Sequence, residues 1–315
     1  MRQSKTLITS IFLFLSALNL QAEVDSGPKN EDLTIGYGDA FIFGLVEGIT
    51  EFLPISSTGH LILVNQWVKN PEIQETYQEN AINAYLIVIQ FGAILAVCIL
   101  YAGQITSIIL GFLGRNSNGQ KLGIKLLVAF APAAAIGPFL DKWIEALLFG
   151  ALPVGIALIV GAGLMHWAER RKKGEEKINP VAAVNLDTIT IQKSFIIGIL
   201  QCVAMWPGTS RSMMTIVGGY IVGLSRKQSA EFSFLLGLIT LSAAAGYKAI
   251  TEGNTLLENL KLGPMLFGCV IAGIFAALSV RWLIGYLSRY GLGIFVWYRL
   301  ILGLLVLVYF GLNSL

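Results

Sequence analysis

Residues 44–60 read Gly-Leu-Val-Glu-Gly-Ile-Thr-Glu-Phe-Leu-Pro-Ile-Ser-Ser-Thr-Gly-His, and this stretch decides how the fold is organised. Glu47 and Glu51 are four residues apart, so a helix places both carboxylates on one face. Pro54 ends that helix because proline has no backbone N–H and forces the preceding residue to be extended. The Ser-Ser-Thr-Gly run that follows is typical of a helix cap and predicts a second helix opening at His60. The stretch therefore predicts a helix, a break and a second helix, with polar groups at the break.

The composition indicates a membrane protein. Of the 315 residues, 55% are hydrophobic and 13% are charged, which is too apolar for a soluble domain. The net charge of +3 is not gathered into a basic stripe, so nucleic acid is not an expected partner. The three cysteines are scattered, without the spacing of a zinc site or a disulfide framework. We predict an all-α polytopic membrane protein.

Apolar runs of about the length that crosses a bilayer predict six transmembrane helices. They lie at about 82–102, 122–140, 150–168, 231–250, 264–284 and 291–313. Pro132 and Pro138 are expected to shorten or kink the second of them. Arginine and lysine fall in the connections on one side, among them the loop expected at 103–121 with Arg115 and Lys121. The positive-inside rule places these connections in the cytoplasm, so both chain ends lie outside.

The N-terminus is predicted to be a separate element. Residues 1–22 have the basic start and short apolar core of a secretory signal peptide, with an uncleaved first transmembrane helix as the alternative. The polar segment 23–38 then forms an extracytoplasmic tail.

Two broken apolar stretches, 40–68 and 194–224, are each followed by three predicted spans. Because three is an odd number, the second copy is inserted upside down, which is the pattern of an inverted-topology repeat. Each stretch enters and leaves on one side and is interpreted as a re-entrant helix–loop–helix hairpin, which at membrane depth must be buried in protein or reached by water. The predicted domains are a first repeat at 39–168, a cytoplasmic linker at 169–193 and a second repeat at 194–315.

A short internal match supports the repeat. With one gap, the two stretches share a glycine, a polar residue, a proline and a hydroxyl pair. The matched pairs are Gly44 with Gly198, Glu47 with Gln201, Pro54 with Pro207, and Ser56-Ser57 with Thr209-Ser210.

Arg211 gives the second stretch its chemistry. A guanidinium within an apolar segment needs an anionic partner or water, and its fork suits two phosphate oxygens. The helix expected to open beside it also attracts anions. We therefore predict a positive pocket that faces Glu47 and Glu51.

Each polar residue also has a plain structural interpretation. Ser56, Thr58 and Thr209 are interpreted equally as caps or as site residues. Like charges stacked in an apolar helix need a cation, a proton or an arginine, which favours function for the two glutamates. His60 is favoured as a general acid–base. Arg299, inside the last predicted span, is assigned to structure, with a site residue or a snorkelling side chain as alternatives.

At these motifs the sequence resembles the undecaprenyl pyrophosphate phosphatase family of bacteria, also called the bacitracin-resistance family. The motifs are Glu47-Gly-Ile-Thr-Glu51-Phe-Leu-Pro-Ile-Ser-Ser-Thr-Gly-His60 and Pro207-Gly-Thr-Ser-Arg-Ser212, and the resemblance extends over roughly 39–313. It implies an integral membrane phosphatase that converts a C55 isoprenyl diphosphate to the monophosphate and so recycles the carrier lipid for peptidoglycan synthesis. It also implies an inner-membrane location, an active site open to the periplasmic side, and a divalent cation such as Mg, Mn or Ca.

The resemblance assigns roles to individual residues. Catalysis is assigned to Ser57 as nucleophile, His60 as its acid–base partner, and the pair Glu47 and Glu51, which are also the expected metal ligands. Phosphate binding is assigned to Arg211. To these roles we add, as candidate phosphate-binding residues, the neighbouring hydroxyl residues Ser56, Thr58, Thr209, Ser210 and Ser212. Besides the lipid and the bilayer, a homodimer is left open as a partner.

The expected mechanism is a two-step phosphoryl transfer in which Ser57 attacks the terminal phosphorus while His60 removes its proton. An alternative makes His60 the nucleophile and Ser57 a hydrogen-bond donor to the phosphate. A transporter or flippase of polyprenyl phosphate lipids is the rival from another class, because inverted repeats with broken helices are common in carriers. A carrier has a use for Arg211 but none that is evident for a serine, a histidine and two glutamates.

Overall fold

The computed structural model describes residues 35–68, 75–148, 150–178, 186, 188–251 and 262–313. The proposed signal peptide, and all of the tail except residues 35–38, lie outside these residues. The described residues contain eleven α-helices and no β-strand. They are α1 Tyr37–Thr50, α2 Ser57–Val68, α3 Glu75–Leu100, α4 Ala102–Phe112, α5 Ser117–Leu148, α6 Ala151–Ile178, α7 Ile191–Val203, α8 Arg211–Ile221, α9 Arg226–Thr251, α10 Leu262–Tyr290 and α11 Gly293–Asn313.

The prediction of an all-α, multi-pass membrane protein is confirmed. Five of the described helices contain segments long and apolar enough to cross a bilayer: Ser117–Leu140, Ala151–Lys177, Arg226–Ile250, Leu262–Tyr290 and Gly293–Phe310. The remaining predicted span corresponds to α3. Its Tyr85–Leu100 part meets α4 at a bend of 81°, and the bent pair passes the same test as one unit.

One local expectation is wrong, and another is wrong in part. The connection at 103–121 was expected to be a loop, but it contains α4, which packs on α5. Pro132 and Pro138 were expected to shorten or kink the second span, and they do not shorten it, because α5 runs without interruption through both. A proline removes one N–H donor, whereas ending a helix inside a bilayer leaves several backbone groups without partners, so continuing the helix costs less.

Both broken stretches have the predicted pattern of helix, break and helix. The four helices around the breaks have 14, 12, 13 and 11 residues, so each is about 21 Å long or shorter, against a hydrocarbon core of about 30 Å. The first break covers 51–56 and the second 204–210. The helix after the first break opens at Ser57, one turn earlier than expected, because the cap is Ser56.

The packing of the helices repeats within the chain. Helix α1 of the first repeat packs on α10 of the second repeat. Its equivalent in the second repeat, α7, packs on α5 of the first repeat. Equivalent glycines make these contacts: Gly44 lies against the carbonyl of Gly268, and Gly198 lies against the carbonyl of Ala129. Any Cβ at either glycine would overlap a backbone oxygen. Small residues of this kind allow membrane helices to approach closely.

The backbone of the two breaks corrects the register of the internal match. Ser56 and Ser210 both adopt positive φ, 74° and 73°, although neither is glycine. Each Oγ accepts the backbone N–H three residues later, at 3.3 Å, from Gly59 and Met213 respectively. The two serines are therefore equivalent, and they are 154 residues apart, the same offset as Gly44 and Gly198. No gap is needed, and the match of the prolines was wrong because it compared residue types without the backbone that caps each helix.

Candidate active site

A cavity lies where the two breaks meet. The first break and the helix after it contribute four residues to its wall, the second break and its helix contribute five, and α3 and α9 contribute one each. The lining residues are Glu51, Ser56, Ser57, Thr58, Gln90, Ala204, Pro207, Gly208, Ser210, Arg211 and Leu241. Both repeats thus contribute to the cavity wall, and Glu51 and Arg211 are among the lining residues, whereas Glu47, the other glutamate of the predicted pocket, is not one of them.

Glu51 is the centre of the polar contacts in this cavity. Ser57 Oγ donates to Glu51 Oε2 at 2.6 Å, and Arg211 Nη2 donates to Glu51 Oε1 at 3.1 Å. Arg211 Nη1 also donates to the carbonyl of Ser233 at 3.2 Å. The Arg211 side chain is 11% exposed and that of Glu51 6%, so this ion pair is shielded from solvent and strong. A serine, a carboxylate and a guanidinium from opposite repeats therefore form one connected unit.

Glu47 lies one helical turn before this unit and is fully buried. Neither of its carboxylate oxygens has a hydrogen-bond partner within the described residues. An ionised carboxylate in such a place is costly, so the site must supply a proton or a cation to Glu47. The sequence prediction of a shared Glu47–Glu51 site is compatible with this requirement.

His60 does not contact Ser57 through a hydrogen bond in this structure. Its Nδ1 lies 2.7 Å from the carbonyl oxygen of Ser56, and its Nε2 lies 2.6 Å from Tyr298 Oη on α11. The two rings are stacked, with centroids 5.6 Å apart and an interplanar angle of 9°. The proton of Ser57 is therefore directed at Glu51, whereas the expected mechanism directed it at His60.

The hydroxyl residues predicted to bind phosphate fall into two groups. Ser56, Thr58 and Ser210 line the cavity, although the Oγ atoms of both serines also cap helices. The other two serve the backbone of the breaks. Thr209 Oγ1 donates to the carbonyl of Trp206 at 2.6 Å, and Ser212 Oγ donates across to the carbonyl of Leu53 at 2.7 Å.

Arg299 joins the two breaks from α11. It is completely buried, which excludes the snorkelling alternative and agrees with the structural assignment. Its Nη2 donates to the carbonyls of Gly208 at 2.9 Å and Ala157 at 3.1 Å, and its Nη1 makes a longer contact of 3.5 Å to the carbonyl of Pro54. One guanidinium thus holds backbone from both breaks and from α6.

Two residues near the site were not predicted. Gln90 lines the cavity from α3, and its signal was a polar side chain inside an otherwise apolar span. Tyr298 holds His60, and its only signal was its position beside Arg299. A tyrosine near the end of an apolar helix is common, so that signal does not single it out.

The fold and the cavity define a class of protein: a multi-pass helical membrane protein with a polar cavity, lined by Glu51 and Arg211, between two broken helices. Residues 40–305 match the family model described as bacitracin resistance protein BacA, and the chain belongs to this family.

Similar curated proteins carry the name undecaprenyl-diphosphatase. Undecaprenyl-diphosphatase 2 of Rhodospirillum rubrum is 44% identical over 268 residues, which cover 85% of this chain and 93% of that protein. Undecaprenyl-diphosphatase of Sorangium cellulosum is 41% identical over 272 residues, covering 85% of both chains. Undecaprenyl-diphosphatase 2 of Shewanella oneidensis is 41% identical over 268 residues, covering 85% of this chain and 96% of its own.

Proposed function

We propose that this protein is a membrane phosphatase that hydrolyses undecaprenyl diphosphate to undecaprenyl phosphate and phosphate. The recycled monophosphate would serve as carrier lipid for peptidoglycan synthesis, and the activity would confer bacitracin resistance. The observation that carries the proposal is the hydrogen bond from Ser57 to Glu51, with Arg211 on the other oxygen of the same carboxylate. A hydroxyl held by a base next to a guanidinium is suited to attack on phosphorus.

The first step forms a phosphoserine. Ser57 Oγ attacks the terminal phosphorus and passes its proton to Glu51, which already accepts that hydrogen bond. The bond from this phosphorus to the bridging oxygen breaks, and its electron pair leaves with the lipid monophosphate. Arg211 and the N–H groups that open α2 and α8 neutralise the negative charge on the phosphoryl oxygens.

The second step releases phosphate. A water molecule attacks the phosphoserine, Glu51 returns its proton to Ser57 Oγ, and dihydrogen phosphate leaves. Atoms and charge then balance, and the serine and carboxylate return to their starting forms. Because the first proton transfer goes to Glu51, His60 is left as the acid–base group of the second step, where it takes a proton from the attacking water and passes it to the departing phosphate.

The carboxylates fit a divalent cation that is shared with the substrate. Within the described part of the chain, no group of three or more acidic, histidine or cysteine side chains is placed to hold a metal by itself. Magnesium commonly binds one or two carboxylates together with substrate phosphates, which matches the unpartnered Glu47 beside Glu51. Such a cation, Mg, Mn or Ca, would neutralise diphosphate charge in the cavity.

We place the protein in the inner membrane with the cavity open to the periplasm. The positive-inside rule supports this orientation, because the C-terminal end of α6 carries Arg170, Arg171, Lys172 and Lys173. Single cysteines at Gly38 and Gly174, in a background without the native cysteines, test it with a membrane-impermeant maleimide on intact spheroplasts. Labelling at 38 alone supports the orientation, and labelling at 174 alone contradicts it.

One assay separates the phosphatase from the transporter alternative. Purified protein in detergent is given C55 diphosphate with and without magnesium, and released phosphate is measured; a carrier has no reason to release any. Glu51→Gln should reduce release to background, while Glu175→Gln, an exposed carboxylate on α6, should not. No cation-dependent release from the native chain would end the phosphatase proposal. The mass of the same preparation tests whether the chain forms a homodimer.

A further inference from the structure

His60 is held at both ring nitrogens, and the two partners differ in kind. The Ser56 carbonyl 2.7 Å from Nδ1 can only accept a hydrogen bond, so Nδ1 carries the proton. Nε2 of the neutral ring is then an acceptor, and the Tyr298 hydroxyl at 2.6 Å is its donor. The contacts therefore define a single tautomer, in which Nε2 is the only nitrogen of His60 able to take up a proton.

The stacking adds an orientation to this tautomer. Near-parallel rings with an interplanar angle of 9° leave the imidazole little freedom to rotate away from α11. Tyr298 is 43% exposed, so no core packing requires it. Its hydroxyl makes one direct contact with the proposed catalytic set, and that contact is with His60.

The other groups around His60 do not provide the same contact. From α11, Arg299 is committed to backbone carbonyls. From the end of α1, Glu51 is committed to Ser57 and Arg211. No hydrogen bond joins the buried Glu47 carboxylate to the imidazole. The α6 residues that pack beneath Gly59 on α2, Val154 and Leu158, are apolar.

We propose that Tyr298 is a positioning residue of the active site, which fixes the tautomer and direction of His60 so that Nε2 serves as its proton-accepting atom. Tyr298 acts through His60 and does not itself touch the reacting phosphorus. The part of this inference that concerns turnover rests on the proposed phosphatase function, whereas the part that concerns the imidazole does not.

The first experiment reads the imidazole directly. The chain has only two histidines, so His166→Gln leaves His60 as the single signal in a sample labelled with ¹⁵N-histidine. At pH 8 the spectrum should show Nδ1 protonated and Nε2 as a hydrogen-bonded acceptor. Tyr298→Phe removes the hydrogen bond to Nε2, so the Nε2 resonance should move toward the position of a nitrogen that accepts no hydrogen bond. Tyr309→Phe changes an exposed tyrosine on the same helix and should leave the resonance where it is. An Nε2–H tautomer, or no shift in Tyr298→Phe, overturns the proposal.

The second experiment is a double-mutant cycle on phosphate release. Tyr298→Phe should lower kcat about tenfold with little change in KM, since it disturbs proton transfer rather than phosphate binding. In a His60→Asn background the same change should have no further effect, because the residue it acts through is gone. An equal loss in both backgrounds overturns the proposal. If the native chain releases no phosphate, the phosphatase function fails, and the ¹⁵N spectra still decide the Tyr298 assignment.

Discussion

The two breaks share a backbone and differ in chemistry. Each opens a helix with a serine at positive φ, and a serine hydroxyl caps each helix in the same way. The first residue of the helix after the break is Ser57 in the first repeat and Arg211 in the second. One turn before the break, Glu47 in the first repeat is equivalent to Gln201 in the second, and both are buried. The two repeats have the same backbone at the break, but the first carries the proposed nucleophile and the two carboxylates, whereas the second carries the guanidinium.

The largest effect is expected at Ser57, the proposed nucleophile, which is the first residue of α2. Ser57→Ala should lower kcat by about 10³-fold or more, because no other hydroxyl in the cavity donates to Glu51. Phosphate release from C55 diphosphate measures this. Ser288→Ala on α10 is the matched control, since that hydroxyl is exposed and bonds only its own helix. Substantial turnover by Ser57→Ala would assign the attack to another residue.

The next largest effect concerns the contact that keeps the breaks together. Arg299→Gln should lower the free energy of unfolding by about 3 kcal/mol, because it leaves buried carbonyls of both breaks without a donor. Thermal unfolding in detergent measures the loss as a lower Tm, and activity should fall with it. Arg281→Gln, an exposed arginine on α10, is the control. Equal Tm values for the two variants would show that the breaks do not depend on Arg299.

The cation of the second break should be sensitive to geometry as well as charge. Arg211→Lys keeps the charge but loses the fork that reaches Glu51 and Ser233 together, so kcat/KM should fall about 10²-fold. Arg289→Lys near the end of α10 should have no effect. Wild-type kinetics for Arg211→Lys would mean that a single positive charge is sufficient at this position. The simultaneous contact of the guanidinium with Glu51 and Ser233 would then not be required for activity.

The smallest effect tests the equivalence of the repeats themselves. Gly44→Ala and Gly198→Ala should each destabilise the protein by about 1–2 kcal/mol, because each new Cβ meets a carbonyl of the neighbouring helix. Gly163→Ala, where a Cβ meets nothing within 4 Å, should be neutral or slightly stabilising. Thermal unfolding of the three variants makes the comparison. A loss at one glycine but not at the other would break the equivalence of α1 with α7.

Local signals in the sequence were sufficient for the broken helices and for the identity of the central residues. Glu47 and Glu51 are four apart, Pro54 follows them, and Arg211 lies in an apolar stretch, so each was visible from near neighbours. The 81° bend after α3 was not predicted, because no proline lies there and the single glycine, Gly103, does not by itself indicate a change of helix direction.

Contacts between distant parts of the chain could not be predicted either. Arg299 reaches Pro54, and Tyr298 reaches His60 across 238 residues of sequence. The hydrogen bond from Ser57 to Glu51 could not be predicted from the sequence either. Local sequence places His60 three residues from Ser57, on a neighbouring part of the helix surface, whereas the choice of Glu51 depends on how the first break turns. The register of the repeat needed backbone angles, since residue types alone aligned the prolines.

The most direct test of the account is to identify the covalent intermediate. Purified protein is mixed with C55 diphosphate labelled in the terminal phosphate, stopped within milliseconds in acid and, separately, in alkali, and digested for mass spectrometry. The account predicts a phosphorylated peptide that survives acid, with the phosphate on Ser57, and its absence in Ser57→Ala. A label that survives only alkali and maps to His60 would contradict it and make the histidine the nucleophile.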